Sequence, residues 1–292
     1  MKRSVFILLM CFLAMGDVSE CADTQQLKSL FADASSNPFQ YNMGITILPG
    51  HSQNSDVLLL LHGYGGDNSI ARILQSYGDI SDIMVSFNFP DYRILDRQYD
   101  LTKSVYGSID EILPVVYMLN KLVVDGKLDK VNLYGFSAGG GAVINTLAVL
   151  NTHRFDTQLA SIGVGADEKK VILNAIQNGW VLLDAPLKSM NEVNGRRGAG
   201  EGRDAVSSRY NKNGFNPIDN IPLLSGLKLN IIVYWEVPDE ILSNRDDALF
   251  SERLKAVNPN GRNIILEGST GGHVGYHAPL FRMYNKLRLS EG

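Results

Sequence analysis

From Asp56 onward, short apolar runs alternate with longer stretches in which apolar residues recur every three or four positions. That alternation predicts strands separated by helices around a mostly parallel central sheet, an α/β fold with helices on both faces. The clearest strand is VLLLL over 57–61, because an unbroken apolar run leading into Gly63, Gly65 and Gly66 describes a strand buried on both sides. A helix is predicted over 67–77 with Asp67 or Asn68 as its cap, followed by a strand over 83–89 that Pro90 stops. Ile109, Ile112, Leu113, Val116, Leu119 and Val123 form one helical stripe over 108–124 despite Pro114. Then come a strand over 130–134, a small-residue helix over 138–150, two short helices within 155–178 and a strand over 180–185. A strand over 229–235, a helix over 248–257, a strand over 263–267 and a helix over 279–289 complete the pattern. No internal repeat is visible, so one domain is expected over residues 23–292.

Between Leu187 and Leu227 the regularity breaks, and glycines are scattered among polar residues. From Lys188 to Lys212 six basic residues (Lys188, Arg196, Arg197, Arg203, Arg209, Lys212) stand against three acidic ones (Glu192, Glu201, Asp204). An irregular, lid-like insertion is expected there: a solvated surface loop, or a cover over a pocket whose arginines meet anionic substrate groups or a membrane surface.

The chain of 292 residues is 45% apolar and 20% charged, which excludes disorder, collagen and coiled coil. A net charge of −4 offers no broad basic face, so nucleic-acid binding is not expected. The two cysteines, Cys11 and Cys21, both precede the predicted sheet, so neither a disulfide framework nor a Cys-ligated zinc site is expected.

Lys2 and Arg3 followed by the apolar run 5–15 read as a secretory signal peptide over 1–22, cleaved somewhere after residues 16 to 22. The run is too short to span a bilayer as a helix. Acylation of Cys21 is disfavoured by Glu20 before it. The mature protein is thus expected to be secreted or periplasmic, mildly acidic and without a membrane span.

Gly135-Phe136-Ser137-Ala138-Gly139 fits the pattern G-x-S-x-G, in which glycines permit a tight strand-to-helix turn that pushes a serine hydroxyl out above a sheet. The motif alone is weak, but here a predicted strand enters it and a predicted helix leaves it. A serine hydroxyl attacks only if a base takes its proton, and the base needs a carboxylate to fix its tautomer. Of the five histidines, His273 in Gly271-Gly272-His273 is the best candidate, with His277 second; their glycine-rich surroundings argue against a zinc site. Asp239, in the loop after the 229–235 strand, is the preferred acid, with Glu236 and then Asp184 as alternatives. His62-Gly63-Tyr64-Gly65-Gly66 follows the first strong strand, so the N–H groups of Tyr64 and Ala138 are the candidate oxyanion donors.

Over most of residues 55–290 the chain resembles the α/β-hydrolase fold superfamily in its serine-hydrolase branch. The resemblance rests on the HGYGG turn, the GFSAGG elbow, the acid in VYWEVPDEIL and the histidine in STGGHVGYH, in the chain order Ser137, Asp239, His273. It implies Ser137 as nucleophile, His273 as general acid and base, Asp239 as its orienter, and Tyr64 and Ala138 as oxyanion donors. Two departures are the Phe136 in the elbow and an acid turn reading Glu-Val-Pro-Asp where Gly-x-x-Asp is commoner. The expected activity is hydrolysis of a small-molecule carboxylic ester through an acyl-serine intermediate, with no cofactor and no metal. Alternatives are an amidase or peptidase, a lipase whose 187–227 segment opens as a lid, and an inactive binding protein of the same fold. Tyr64, Trp235 and Tyr276 are expected to give the pocket an aromatic wall, or else to pack in the core.

Overall fold

Five consecutive apolar residues with no polar face need cover from both sides. In the computed structural model, which describes residues 22–33, 37–39, 41–51, 55–90, 105–193, 200–269 and 272–290, Val57–Leu61 has it: every residue of this strand is buried. The elements run α1 (Ala22–Leu30), β1 (Thr46–Leu48), β2 (Val57–Leu61), α2 (Ile70–Tyr77), β3 (Ile83–Ser86), α3 (Ile109–Asn120), β4 (Asn132–Phe136), α4 (Ala138–Leu150), α5 (Asp156–Ala160) and α6 (Ala166–Gln177). They continue with β5 (Val181–Asp184), α7 (Gly200–Asn213), α8 (Pro217–Asn220), β6 (Asn230–Glu236), α9 (Asp247–Val257), β7 (Arg262–Gly268) and α10 (Ala278–Leu289).

The strands form one sheet in the order β1-β3-β2-β4-β5-β6-β7. Every neighbouring pair is parallel except β1 with β3. Because side chains alternate along a strand, the sheet feeds two cores. Leu59 and Leu61 point into one, with Ile112 and Val116 of α3, Val143 and Leu147 of α4, Ile172 of α6 and Phe250 of α9. Leu58 and Leu60 point into the other, with Leu74 of α2 and Leu280, Phe281 and Tyr284 of α10. The loops at the carboxyl ends of β2, β4, β6 and β7 therefore gather at one edge of the sheet, where ligands of such folds bind.

Several expected boundaries shift. Helix α2 begins only at Ile70, because the Asp67 carboxylate accepts the Ser69 N–H at 2.8 Å and spends those residues on a turn. Strand β3 stops at Ser86, and α3 ends in a wide π turn over Lys121–Asp125. Strand β1 was not expected: three half-buried residues at an antiparallel edge are too short to show a period. The expected irregular insertion is corrected most. Within 187–227 the described residues include α7, α8 and single 3₁₀ turns at Met190–Glu192 and Ile221–Leu224. Among the described side chains of α7, Val206 and Tyr210, one turn apart, are the buried apolar pair, so its periodicity is too thin to read. Of the expected signal peptide, residues 1–21 lie outside the described residues.

Candidate active site

Strand β4 runs straight into α4 through Ser137, whose φ of 52° and ψ of −117° is a backbone conformation that side-chain-bearing residues rarely adopt. Such strain persists only where neighbours enforce it. The Ser137 N–H donates to the Asp184 carbonyl at 2.9 Å, while the Ser137 carbonyl accepts the N–H groups of Leu187 at 2.7 Å and Gly140 at 3.0 Å. Gly139 allows the closure, since a Cβ there would stand 2.3 Å from the Leu61 carbonyl oxygen. The hydroxyl is thus held at the head of α4, whose first N–H groups have no partner within the helix.

Ser137, His273 and Asp239 come together from three loops. The Ser137 Oγ lies 2.8 Å from His273 Nε2, and His273 Nδ1 lies 2.7 Å from Asp239 Oδ2. Asp239 has no proton to give, so Nδ1–H donates to it and Nε2 is left to accept from the serine. The other carboxylate oxygen of Asp239 accepts the N–H groups of Ile241 and Leu242, both at 2.7 Å. Burial works to raise the Asp239 pKa, but the bonds from His273, Leu242 and Ile241 outweigh it and hold the group below its ordinary value. Its neighbour Glu240, which the sequence reading missed, accepts the His273 N–H at 2.9 Å and fixes the backbone behind the ring.

The residues weighed as alternatives meet elsewhere. His277 Nδ1 is hydrogen-bonded to Asp184, its Nε2 donates to the Gly272 carbonyl at 2.9 Å, and Glu236 stands 3.6 Å away. The Tyr134 hydroxyl donates to Asp184 at 2.6 Å and the Tyr234 hydroxyl to Glu236 at 2.7 Å. Burial lowers the His277 pKa, but the bond to and charge of Asp184 outweigh it, and the net shift is upward. Among the described residues no serine, threonine or cysteine side chain is hydrogen-bonded to this pair.

The turn after β2 packs directly on the elbow: a Cβ at Gly63 would meet the Phe136 ring at 2.9 Å and Ser137 Cβ at 3.0 Å. His62 braces it. Its Nδ1–H donates to the Gly63 carbonyl at 2.8 Å and its Nε2 accepts the Phe89 N–H at 3.4 Å. Accepting at Nε2 requires the neutral ring, and burial pushes its pKa down to about 4. Tyr64 and Ala138, the two candidate oxyanion donors, line one small cavity together with Ser137. Among the described residues no group of three or more His, Cys, Asp or Glu is placed to hold a metal ion.

Solved structures share this architecture. A lipase/esterase from Lactobacillus plantarum aligns over 85% of this chain and 92% of its own, with a TM-score of 0.57 and 15% identity. A carboxylesterase from Lactobacillus plantarum WCFS1 aligns over 79% of each chain, with a TM-score of 0.55 and 14% identity. Thermogutta terrifontis esterase 2 phosphonylated by sarin aligns over 85% of this chain and 90% of its own, with a TM-score of 0.51 and 15% identity. The chain has the α/β-hydrolase fold. No family model matches its sequence, and no curated protein matches it significantly.

In this α/β-hydrolase fold two hollows adjoin the elbow. The smaller, about 120 Å³, has Ser137 and Ala138 in its wall and is lined by Leu187, Met190, Val206 and Tyr210, all from the segment expected to be a lid. Tyr210 is anchored by its hydroxyl, 3.1 Å from both carboxylate oxygens of Glu111 on α3. The larger, about 430 Å³, lies between the HGYGG turn, α2 and the residues that follow His273. Of the three aromatics expected near the site, Tyr64 lines both hollows and Tyr276 the larger one. Trp235 lines neither: it is buried under α9 against Phe250, with the Lys188 ammonium 5.3 Å from its ring. It lies near the carboxyl end of β6, but its side chain points to the sheet face covered by α9 and into that core. Among the described residues no helix is long and apolar enough to cross a membrane.

Proposed function

We propose that the chain is an exported serine hydrolase that cleaves a small-molecule carboxylic ester through an acyl-serine intermediate. The observation that carries this reading is the continuous row Asp239, His273, Ser137, joined at 2.7 and 2.8 Å, with the serine on a strained elbow. The fold's likeness to esterases and carboxylesterases supports it.

In the proposed reaction the Ser137 hydroxyl proton passes to His273 Nε2 as Oγ bonds to the carbonyl carbon, and Asp239 stabilises the imidazolium. The negative charge that develops on the carbonyl oxygen falls to the N–H groups of Ala138 and Tyr64, each such donor contributing roughly 10²–10³ in rate. Collapse breaks the bond to the leaving oxygen, which takes the proton from His273. Water, activated by the same histidine, then releases the acid and restores Ser137.

A fluorophosphonate probe should label the wild-type protein and leave Ser137→Ala unlabelled, and only the wild type should turn over a p-nitrophenyl ester series from acetyl to palmitoyl. Absence of both labelling and turnover would leave a non-catalytic protein of this fold. Export is tested separately: the secreted or periplasmic form should begin between residues 17 and 23 on N-terminal sequencing.

A further inference from the structure

The two hollows differ in size, wall and position relative to His273, and the chemistry of acyl transfer gives each a different part of the substrate. We infer that the 430 Å³ groove is a leaving-group subsite for a bulky, neutral, apolar or aromatic alcohol, while the 120 Å³ cavity confines the acyl group to about five carbons. This inference rests on the ester-hydrolase reading above.

The assignment follows from where the proton must go. A carbonyl oxygen seated on the Tyr64 and Ala138 amides places the acyl carbons in the cavity that these residues and Ser137 line. The leaving oxygen must face His273, which protonates it. On that side the groove begins: the Phe136 ring, 5.3 Å from the His273 ring, lines it, as do Val274 to His277. Tyr64 stands between the two hollows and lines both.

The walls match the occupant. Nine large apolar side chains are exposed among the described residues, and four of them, Tyr64, Ile73, Tyr77 and Val274, line this one groove. Apolar side chains that gather in this way on a protein surface mark a place where something binds. Tyr77 and Tyr276 stack at 3.8 Å between centroids and 9° between planes, and the Tyr276 hydroxyl is tied to Asp79, so this wall is a flat, fixed aromatic surface. Among the described residues no Lys or Arg lines the groove; Asp67 does, and so do Asp184 and His277, which are bound to each other, so the wall offers an anionic alcohol no cation beyond one already held by a carboxylate. The small cavity has almost no polar wall, and Leu187, Met190 and Tyr210 narrow it to about 120 Å³, the volume that sets the acyl length.

The test pairs two ester series. With acetate held constant, kcat/KM should rise at least tenfold from methyl to benzyl to 2-naphthylmethyl acetate, alcohols of similar basicity. With methanol held constant, it should fall at least tenfold between the butanoate and the octanoate. Ile73→Asp and Tyr77→Asp, both at exposed positions of α2, should raise KM for 2-naphthylmethyl acetate tenfold or more and leave kcat/KM for methyl acetate within threefold. A preference for long acyl chains on small alcohols, or a uniform loss in both variants, overturns the assignment. Binding of 2-naphthylmethanol to Ser137→Ala, followed by saturation-transfer NMR, separates the two layers. If no ester is cleaved but the alcohol binds, and binding is lost with Ile73→Asp, the groove stands and the hydrolase reading falls. If esters are cleaved and the alcohol does not bind, the groove assignment falls alone.

Discussion

Two histidine–carboxylate pairs lie side by side in this protein, on residues four apart in one loop, and they do opposite things. His273 accepts at Nε2 from the Ser137 hydroxyl, so one of its nitrogens must be bare, and the ring can take a proton. His277 faces a carbonyl oxygen at Nε2 and a carboxylate at Nδ1, so both nitrogens are called on to donate and the imidazolium is favoured. Around it stand Asp184 from β5, Glu236 from β6, the Tyr234 ring stacked at 4.6 Å, and Tyr134 behind Asp184. The difference teaches that the third partner decides the role. In the proposed mechanism a hydroxyl at the far nitrogen makes a base, and a carbonyl makes a clamp. That clamp holds Gly272, the residue before His273, so the second pair steadies the first.

The comparison breaks first at Asp239. Asp239→Asn removes the acceptor that fixes the His273 tautomer, and kcat should fall by roughly 10⁴. The loss should come with little change in melting temperature, as read by ester turnover beside a thermal melt. A change in stability as large as that in kcat would show that the two pairs do the same work.

Both members of the first pair are legible in the sequence, and the reason is motif and order. The G-x-S-x-G turn names Ser137, and an acid and a histidine after the late strands complete a known order. The second pair is not legible. Asp184 and His277 are 93 positions apart and meet only because β5 lies beside β6 and α10 packs across them. The sequence reading had set aside His277, Asp184 and Glu236 as substitutes for the catalytic base and acid, and the fold gathers those three with each other. Patterning likewise gave the sheet's parallel core but not α7, since helix formation there depends on Val206 and Tyr210 meeting the cavity and on Glu111, which carries no local signal.

Next in size is the loss of the clamp itself. His277→Leu leaves Asp184 buried without its cation and should destabilise the protein by about 3 kcal/mol, while kcat falls only a few-fold through the displaced loop. The pH dependence has a definite sign. The folded-state pKa of His277 is raised above its unfolded value near 6.5, so its contribution is fully present below that value and fades as pH rises through the folded one. The gap in melting temperature between wild type and His277→Leu should therefore be widest in mildly acidic buffer and shrink toward alkaline pH. A gap that widens with pH would contradict the imidazolium.

Smaller still is the effect of Tyr134→Phe. It takes away one hydrogen bond to the Asp184 carboxylate and keeps the ring, which stacks on Phe281 at 5.6 Å, so a cost of about 1.5–3 kcal/mol is expected. Nuclear magnetic resonance of the ring nitrogens should still report both protonated on His277 in mildly acidic buffer, because Asp184 and Gly272 remain its partners.

The smallest effect sharpens the comparison most, because it touches the backbone that the two pairs share. Glu240 accepts the N–H of His273, and Gly272 beside it gives its carbonyl to His277, so that one stretch of chain is held from both sides. The hydrogen bond from His273 holds the Glu240 carboxyl below its ordinary pKa. Its contribution is thus present above the unfolded value near 4.3 and is lost only as pH falls through the folded one. Glu240 is exposed, so water replaces much of what the bond gives, and Glu240→Ala should leave the melting temperature within about 1 °C. Its signature lies in kcat: a loss of a few-fold, partly restored by Glu240→Gln, whose amide oxygen can accept the same N–H. If Glu240→Ala leaves kcat untouched while His277→Leu lowers it, the histidine loop is positioned from the buried side alone. If both lower kcat and their effects multiply, the two anchors act independently on the ring that faces Ser137.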